Sequence, residues 1–328
     1  MKPILDQPTV PTLSGRIGIV RNPRSHRNKA NPRQLVESDQ VLVAMPASRA
    51  ELAGTLARFA EQHVELIVID GGDGTVRDIL TRGDAVFGQA WPQLMVLPKG
   101  KTNALALDLG MPRKMTLDQA LSGNPGARIE RRRALKIEPK DGSRPPFHGF
   151  IMGSGVFNVA IDAAQVTHRF GAFQGLAVGL TVATGMTMAL LGIGRGPWRA
   201  LTPTRIVADD GGALPHSKHG RIGERWAVGF STLSNFPLGM APFAGTGQSI
   251  STPIACLAVD APLRRVIATA PAILAGSGGP RYAALGVHRG AAQAFDIELG
   301  GRFILDGESF PAGTYHIGLG PELEFLVP

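Results

Sequence analysis

The sequence contains a single cysteine, Cys256, which lies within the apolar run Pro253–Val259. One cysteine excludes a disulfide within the chain, and a buried, unreactive thiol is the expectation for such a position. Aromatic residues make up only 6% of the chain, and no segment alternates them with Lys or Arg. A base-stacking surface needs that alternation, so nucleic acid is not expected as a partner.

Targeting signals are also missing. Residues 1–11 lack the apolar core of a signal peptide, so we expect a cytoplasmic protein. Residues 172–194 carry no charge and are long enough to span a bilayer. They contain several Gly and Thr, however, and are flanked on both sides by Arg169 and Arg195. We therefore expect a buried helix, or a helix lying at a membrane surface, rather than a span.

The chain is long and basic. Its 328 residues exceed the size at which a single core usually stops growing, which predicts two domains. The net charge of +8 favours anionic partners such as nucleotide phosphates or an acidic membrane surface, and equally serves solubility. The basic clusters that would contact an anionic leaflet are Arg131–Arg133, Arg195 with Arg199, and Arg264 with Arg265. Each of them is explained as well by a solvated face.

The first part of the sequence alternates strands and helices. Short apolar runs typical of buried strands lie at 16–21, 40–44, 65–70 and 94–97. Helical patterns lie at 48–62, 75–82 and 102–109, the first with Ser48 and Glu51 in a capping-box arrangement. This alternation predicts a doubly wound, mostly parallel α/β domain over residues 1–130.

After residue 130 the pattern changes. Apolar and polar residues alternate in strand fashion, as at 295–299 and 315–319, with Gly-rich turns between them. This pattern predicts an antiparallel β-sandwich over residues 131–316, with helices inserted around 158–194.

The strongest local motif is Gly71-Gly72-Asp73-Gly74-Thr75, which joins a predicted strand to a predicted helix. Its glycines let the backbone approach a ligand closely, and the N-terminus of the next helix suits phosphate oxygens. Asp73 cannot bind phosphate directly, because like charges repel, so it is a candidate Mg²⁺ partner or proton acceptor. A strand–helix turn that uses glycine only for tight geometry is the alternative.

Two further loops follow strands of the same predicted sheet. Asn22-Pro23-Arg24-Ser25 comes after the first strand, and Gly100-Lys101-Thr102-Asn103 after the fourth, with Thr102 or Asn103 placed to cap a helix. The carboxyl ends of parallel strands share one edge, so these loops and Gly71–Thr75 are expected to line one crevice. Such convergence favours a nucleotide site. The loops contain neither a Walker A motif nor a dinucleotide-binding fingerprint.

The ordered motifs resemble the diacylglycerol kinase catalytic-domain family, which includes bacterial diacylglycerol kinases, sphingosine kinases and ceramide kinases. The residues that carry the resemblance are, in chain order, Asn22-Pro23, Gly71-Gly72-Asp73-Gly74-Thr75, Pro98-x-Gly100-x-x-Asn103 and Asp306-Gly307-Glu308. The resemblance runs from about Arg16 to Pro328. Related NAD kinases carry a similar glycine block, but the ordered set of four is specific.

The resemblance implies an ATP- and Mg²⁺-dependent lipid kinase that phosphorylates a hydroxyl of diacylglycerol, ceramide or a sphingoid base. It implies an α/β domain of the phosphofructokinase or NAD kinase type and a β-sandwich lipid-binding domain, with the active site in the cleft between them. Residues 317–328 would return to the first domain, and the protein would associate peripherally with the inner face of an anionic membrane. The implied nucleotide-binding residues are Asn22, Pro23, Arg24, Ser25, Gly71, Gly72, Asp73, Gly74, Thr75, Gly100, Lys101, Thr102 and Asn103.

The family's acidic pair falls on Asp306 and Glu308, which the resemblance assigns to activation of the lipid hydroxyl, with Asp73 and Glu308 as Mg²⁺ ligands. We expect Asp306 to be the general base, although in sphingosine kinases the residue matching Asp73 has that role. From the residues alone, Asp306-Gly307 after an apolar strand is also a common hairpin turn.

The sequence departs from the family at several places. Lys101 stands where relatives commonly have Thr or Ser, so it either neutralises phosphate charge or points to solvent. The block that holds a structural Mg²⁺ in some bacterial relatives is reduced to Asp260-Ala261-Pro262-Leu263, so that accessory site is not expected here. Two interpretations compete with a lipid kinase: an NAD kinase-like enzyme acting on a soluble substrate, and a non-catalytic nucleotide- or membrane-binding relative.

Overall fold

The computed structural model describes residues 15–30, 37–122, 126–169, 196–249 and 253–328. The chain divides into two compact units, one formed by residues 1–134 with 321–328 and the other by residues 135–320. The uncharged segment 172–194 lies outside the described residues.

The first unit alternates strands and helices. Its elements are β1 (Arg16–Arg21), α1 (His26–Lys29), β2 (Val41–Ala44), α2 (Arg49–Glu61), β3 (Val64–Gly71), α3 (Asp73–Phe87), β4 (Gln93–Pro98), α4 (Ala104–Asp108) and α5 (Leu117–Leu121). Strand β5 (Arg128–Pro139) begins in this unit, and the end of β16 (Gly313–Val327) belongs to it.

A parallel sheet forms the centre of the first unit, in the order β2-β1-β3-β4. The end of β16 pairs beside β4 in parallel, with Phe325 opposite Leu94. Ile67, Val68 and Ile69 of β3 are fully buried, as a strand inside a parallel sheet covered on both faces requires. The predicted parallel α/β arrangement is confirmed.

The helices differ from prediction mainly in length. Helix α3 continues through Gly83 to Phe87, whereas the prediction ended it at residue 82. Gly83 is buried in the helix, and a Cβ there would lie only 2.3 Å from the ring of Trp91, so the position needs glycine for packing. The cap of α2 is as predicted, since the Ser48 hydroxyl accepts the N–H of Glu51. In a capping box the Glu51 carboxylate would in turn accept the N–H of Ser48. Here it accepts instead the N–H of Ala47, the residue before Ser48, at 2.9 Å.

The second unit is built mostly from antiparallel strands. Its strands are β6 (Phe147–Gly149), β7 (Ile151–Gly155), β8 (Thr202–Ala208), β9 (Glu224–Arg225), β10 (Ala227–Ser231), β11 (Ile254–Val259), β12 (Val287–Ala292), β13 (Phe295–Leu299), β14 (Phe303–Leu305) and β15 (Glu308–Phe310), with most of β5 and β16. Its helices include α6 (Val156–Arg169), α7 (Arg264–Ala268), α8 (Ala270–Leu274), α9 (Pro280–Ala284) and short 3₁₀ turns at Pro197–Arg199 and Pro237–Gly239.

Two groups of these strands face each other across one apolar core, as in a β-sandwich. One group has the order β12-β11-β10-β7-β14-β15, and the other contains β16, β13 and β8, with β5 and β6 attached through β16. Phe230 of the first group and Phe295 of the second have ring centroids 5.1 Å apart. Phe303 of the first group and Tyr315 of the second also meet, edge to face, with ring centroids 5.1 Å apart. The antiparallel character predicted for this part of the chain is confirmed.

Within the described residues, no helix has both the length and the apolar character needed to cross a bilayer. Two cations of the basic cluster at 131–133 are already paired: Arg131 with Glu324 at 2.9 Å, and Arg132 with Asp108 at 2.7 Å. This pairing weakens the case for that cluster as a membrane contact.

Candidate functional site

The loop after β1 is tied to the glycine motif by Asn22. Its side-chain NH₂ donates to the Thr75 hydroxyl at 2.9 Å, and its side-chain oxygen accepts the backbone N–H of Arg24 at 2.9 Å. Its own backbone N–H donates to the carbonyl of Asp70 at 3.0 Å. Asn22 therefore fixes the first loop against the start of α3. Ser25 is buried beside it, whereas Pro23 and Arg24 are exposed.

Most glycines of the two Gly-rich loops are required by packing within the protein. A Cβ on Gly72 would lie 2.7 Å from the Gly100 Cα, and one on Gly100 would lie 2.8 Å from the Gly72 Cα. The backbones of the second and third loops are thus in direct contact, and neither position accommodates a side chain. A Cβ on Gly71 would likewise collide with Thr75, at 2.6 Å.

Gly74 differs from these three glycines. Among the described residues, a Cβ there would meet only the Arg77 guanidinium, at 3.9 Å, which is ordinary contact distance. The described neighbours therefore do not require glycine at this position. A glycine that the fold does not need, in the first turn of a helix, is suited to the close approach of a ligand to the backbone.

The start of α3 is well suited to an anion. Its N-cap is Gly72, which has no side chain to satisfy the first N–H groups of the helix. The Gly72 carbonyl accepts the N–H of Thr75 at 2.8 Å and of Val76 at 3.1 Å, whereas the N–H of Gly74 has no backbone partner among the described residues. This 15-residue helix also places the positive end of its dipole at the motif.

Asp73, the first residue of α3, bridges the second and third loops. Its carboxylate accepts the backbone N–H of Leu105 at 3.4 Å, at the start of α4. Burial raises the pKa of Asp73, and hydrogen bonds from the backbone of Leu105, Ala104 and Asn103 oppose that rise. A carboxyl group with a raised pKa is suited to accept a proton.

The third loop is closed by Asn103. Its side-chain oxygen accepts the N–H of Gly100 at 2.7 Å, and its amide donates to the Gly100 carbonyl at 2.9 Å. Its backbone is left-handed, with φ of +52°, which Asn tolerates better than most residues. Asn103 occupies the N-cap position of α4, as predicted, but its side chain makes no capping hydrogen bond, because both of its polar groups are used within the loop. Lys101 and Thr102 are exposed.

A cavity of about 320 Å³ opens beside the first loop and contains residues that the sequence analysis did not identify. The additional wall is the segment Met45–Arg49, at the end of β2, with Leu52 and Asp78. Met45 is 51% exposed, which is unusual for a large apolar side chain. The sequence could have identified this segment as part of the site, because it follows a strand whose carboxyl end lies at the same edge of the sheet as the three loops. The residues that line the cavity are Val20, Arg21, Asn22, Pro23, Arg24, Met45, Pro46, Ala47, Ser48, Arg49, Leu52, Thr75 and Asp78.

An ion pair lies beneath these loops. Arg21, the last residue of β1, contacts the carboxylate of Asp70, its register partner in β3, and both side chains are buried. Asn28 donates from its side chain to the backbone carbonyls of Asp70 at 2.9 Å and Asn22 at 3.0 Å. The ends of the two strands are thereby fixed directly below the residues that form the loops.

In the second unit, Asp306 and Gly307 form a two-residue hairpin turn between β14 and β15. Both have positive φ, +44° and +84°, and Leu305 pairs with Glu308 across the turn. Asp-Gly is typical of this turn, in which both central residues are left-handed. The hairpin turn that the sequence offered as an alternative interpretation of Asp306-Gly307 is therefore present.

The Asp306 carboxylate has a structural role beyond the turn. One oxygen accepts the backbone N–H of Phe150 at 2.9 Å and the other that of Ile151 at 3.0 Å, while its own N–H donates to the Ile151 carbonyl at 3.0 Å. The hairpin is thus held against the junction of β6 and β7. Glu308, on the far side of the turn, is half-buried.

Asp260 follows β11 in place of the family's acidic block, and it is surrounded by cationic and polar partners. Its carboxylate contacts the buried Arg225 guanidinium, and it accepts hydrogen bonds from His288 at 3.0 Å and the Ser217 N–H at 2.6 Å. Burial acts to raise its pKa, but these hydrogen bonds and the Arg225 charge outweigh it and lower the pKa to about 2. Among the described residues, no group of three or more His, Cys, Asp or Glu could hold a metal ion by itself.

The structure therefore brings together the three loops predicted to bind a nucleotide, at one edge of the sheet of the first unit. Comparison with known proteins supports this interpretation. Residues 16–130 match the diacylglycerol kinase catalytic domain. The resemblance drawn from the motifs is confirmed over this range, which contains all three loops. No curated protein matches the chain at a significant level.

Solved structures share the fold over nearly the whole chain. One, a diacylglycerol kinase from Bacillus anthracis str. Sterne, is 16% identical, covers 95% of this chain and 97% of its own, and superposes with a TM-score of 0.65. Another from the same organism, provisionally assigned as a diacylglycerol kinase, is 14% identical with the same coverage and TM-score. At this level of identity the likeness establishes a common fold and leaves substrate and activity open.

Proposed function

We propose that this protein is an ATP-dependent lipid kinase, which transfers the γ-phosphate of ATP to a hydroxyl of a membrane lipid of the diacylglycerol, ceramide or sphingoid type. The observation that carries the proposal is the match of residues 16–130 to the diacylglycerol kinase catalytic domain. The loop geometry supports it. Gly71, Gly72 and Gly100 are required by packing, whereas the described residues leave space beside Gly74, at the start of α3, for a ligand.

The nucleotide is proposed to lie along the edge of the parallel sheet. Its phosphates would accept a hydrogen bond from the N–H of Gly74 at the start of α3, where the helix dipole favours negative charge. Its base would occupy the cavity beside Met45, whose volume of about 320 Å³ is at the lower end of the range for ligand clefts. The exposed Met45 side chain offers that base an adaptable apolar surface.

Asp73 is the proposed partner of Mg²⁺ in this unit. Mg²⁺ is usually held by one or two carboxylates together with substrate phosphates, so a single acidic side chain beside the phosphates suffices. The cation, when bound, neutralises charge that develops on the transferred phosphoryl group. Glu308 is the second proposed ligand. Asp73 also links the second loop to the third, because its carboxylate accepts the backbone N–H of Leu105.

The proton acceptor for the lipid hydroxyl is proposed to be Asp306, with Asp73 as the competing candidate. Both oxygens of Asp306 accept backbone N–H groups, which orients the carboxylate. Asp73 has a pKa raised by burial, which suits a base. Transfer chemistry of this kind needs one positioned acceptor and little other covalent assistance.

The proposal is tested by Mg²⁺-dependent phosphate transfer from ATP to diacylglycerol, ceramide, sphingosine and NAD, each presented in mixed micelles. Product on one of the lipids, lost in Asp306→Asn, supports a lipid kinase and identifies the acceptor. Product on NAD alone would mean that the fold has been interpreted correctly and the substrate class wrongly. ATP binding without product on any acceptor would favour a non-catalytic role.

The same assay separates the two candidate bases. We expect Asp306→Asn to abolish transfer with ATP binding nearly intact, and Asp73→Asn to weaken Mg-ATP binding as well. Near-normal turnover in Asp306→Asn would transfer the role of base to Asp73. Thermal denaturation of both variants is the necessary control, because each side chain also holds backbone groups in place.

A further inference from the structure

A second cavity, of about 510 Å³, opens in the first unit and is lined by basic side chains. We call it the cationic pocket; its lining residues are Arg21, Arg27, Asn28, Asp70, Lys99, Lys114, Thr116, Leu117 and Asp118. It shares only Arg21 with the cavity beside Met45. The glycine motif, which is the proposed position of the nucleotide phosphates, does not line it.

The charges of the cationic pocket do not balance. Four cationic side chains line it and two carboxylates, Asp70 and Asp118, oppose them, which leaves a formal excess of two positive charges. Asp70 is moreover already engaged in the buried ion pair with Arg21. The positive charge of Arg27, Lys99 and Lys114 is therefore the dominant feature of the cavity.

Two of these cations are held in place by neutral partners. The Arg27 guanidinium donates to the backbone carbonyls of Pro98, at 3.3 Å, and of Arg113. The Lys99 ammonium donates to the carbonyl of Met115 at 2.9 Å. Carbonyl oxygens orient a cation without neutralising it, so both side chains are positioned while their charge remains available to an anion.

The neighbouring cations repel the positive charge of Lys99. Burial lowers its pKa, and Asp70 opposes that effect, but the neighbouring charges of Arg27 and Arg21 lower the pKa further. An anion bound among these groups would relieve the repulsion. Converging Arg and Lys donors are the arrangement that proteins use for phosphate groups, because each oxygen then accepts a charge-assisted hydrogen bond.

We propose that the cationic pocket binds the phosphate group of a phosphomonoester, at a site separate from that of the nucleotide. Its position couples it to the nucleotide loops. Lys99 immediately precedes Gly100, and Arg27 lies in α1, directly after the loop Asn22–Ser25, so an anion bound to these two cations links the first loop to the third. Occupancy of the pocket then changes the affinity of the loops for nucleotide, and by linkage nucleotide changes the affinity for the anion.

The test is a calorimetric titration of the full-length protein, saturated with ADP, with inorganic phosphate and with glycerol phosphate. Lys114→Glu removes a cation of the pocket, and Lys29→Glu makes the same charge change on an exposed lysine that does not line it. We expect Lys114→Glu to weaken binding about tenfold, and Lys29→Glu less than about twofold. Both side chains are exposed, so circular dichroism should show both variants folded.

The source of the phosphate group is distinguished by a second arm with phosphatidylcholine vesicles that contain phosphatidic acid. A selective loss of vesicle binding in Lys114→Glu would identify a lipid headgroup; equal vesicle binding by the two variants, with selective loss for glycerol phosphate, would identify a soluble ester. Absence of phosphate binding in the ADP-saturated protein, or equal weakening by the two variants, would overturn the proposal. The titration does not depend on kinase activity, and if ADP itself fails to bind, the same comparison is made without it.

Discussion

Gly74 offers a direct test of whether the glycine motif binds a ligand. Among the described residues, and apart from the backbone of its own helix, an added Cβ at this position comes no closer than 3.9 Å to another group. Alanine is also preferred to glycine within helices by up to about 1 kcal/mol. Gly74→Ala should therefore leave the first unit as stable as before or raise its melting temperature by about 2–4 °C, the shift expected for 1 kcal/mol in a unit of this size.

Nucleotide binding should respond in the opposite direction. If phosphate oxygens lie against the backbone at Gly74, a methyl group occupies the space that they need and screens the N–H groups. We expect the affinity for ADP and ATP to fall by at least about tenfold, which corresponds to about 1.4 kcal/mol. Isothermal titration calorimetry with each nucleotide, alongside thermal denaturation of the free protein, measures both effects.

Two glycines serve as matched controls. Gly54 lies in α2 with nothing within 4 Å of an added Cβ, so Gly54→Ala should stabilise the protein similarly and leave nucleotide affinity unchanged. Gly72→Ala would force a Cβ to 2.7 Å from the Gly100 Cα and should destabilise the unit by about 1–3 kcal/mol, as overpacking does. A stable Gly74→Ala variant with unchanged affinity for both nucleotides would refute the placement of the phosphates.

Two carboxylates of the second unit, Asp260 and Asp306, also hold neighbouring groups in place and can be tested by substitution. Asp260→Asn should lower the free energy of unfolding at neutral pH by about 3–5 kcal/mol, because Arg225 loses its buried counter-ion; urea denaturation measures this. The pKa of Asp260 is lowered to about 2 from 3.8, so the wild type should lose this contribution as the pH falls from about 4 towards 2, whereas Asp260→Asn should not. EDTA should leave the melting temperature unchanged, because Arg225 already neutralises the Asp260 carboxylate. Asp306→Asn should cost about 1–3 kcal/mol, since an amide cannot accept the N–H groups of both Phe150 and Ile151.

Each of these predictions has a clear contrary result. Wild-type stability in Asp260→Asn would mean that Arg225 finds another counter-ion, and a melting temperature that falls in EDTA would indicate a structural metal. An Asp306→Asn variant as stable as the wild type would show that the hairpin does not depend on the carboxylate. In that case, a loss of transfer by Asp306→Asn could be assigned to chemistry directly.

Asp306 is both the proposed base and an acceptor of two backbone N–H groups, and this affects how kinetic data on its variants are interpreted. A residue that accepts two backbone N–H groups can lose activity on substitution simply because the hairpin moves. Comparison of Asp306→Asn with Asp306→Ala addresses this, because alanine accepts neither N–H group and so disturbs the hairpin more. Activity that follows the stability of the two variants indicates a positioning role, whereas equal loss in both indicates participation in the reaction.

The convergence of the three loops was predictable from the sequence because it follows from a local rule. Each loop comes directly after a short apolar run, and parallel strands place their carboxyl ends along one edge. No knowledge of distant contacts is needed to bring the ends of β1, β3 and β4 together. The antiparallel second unit was predictable for a similar reason, since alternation of apolar and polar residues is a property of neighbouring positions.

The order of the elements and the chemical character of the strand ends follow from the sequence. The partner of each group follows only from the fold: Gly72 packs against Gly100, Asp260 pairs with Arg225, and backbone carbonyls orient Arg27 while its charge stays available. This is so because a glycine or a carboxylate is compatible with many partners. Its role is fixed by the segments, often far apart in the chain, that packing brings within hydrogen-bond or contact distance.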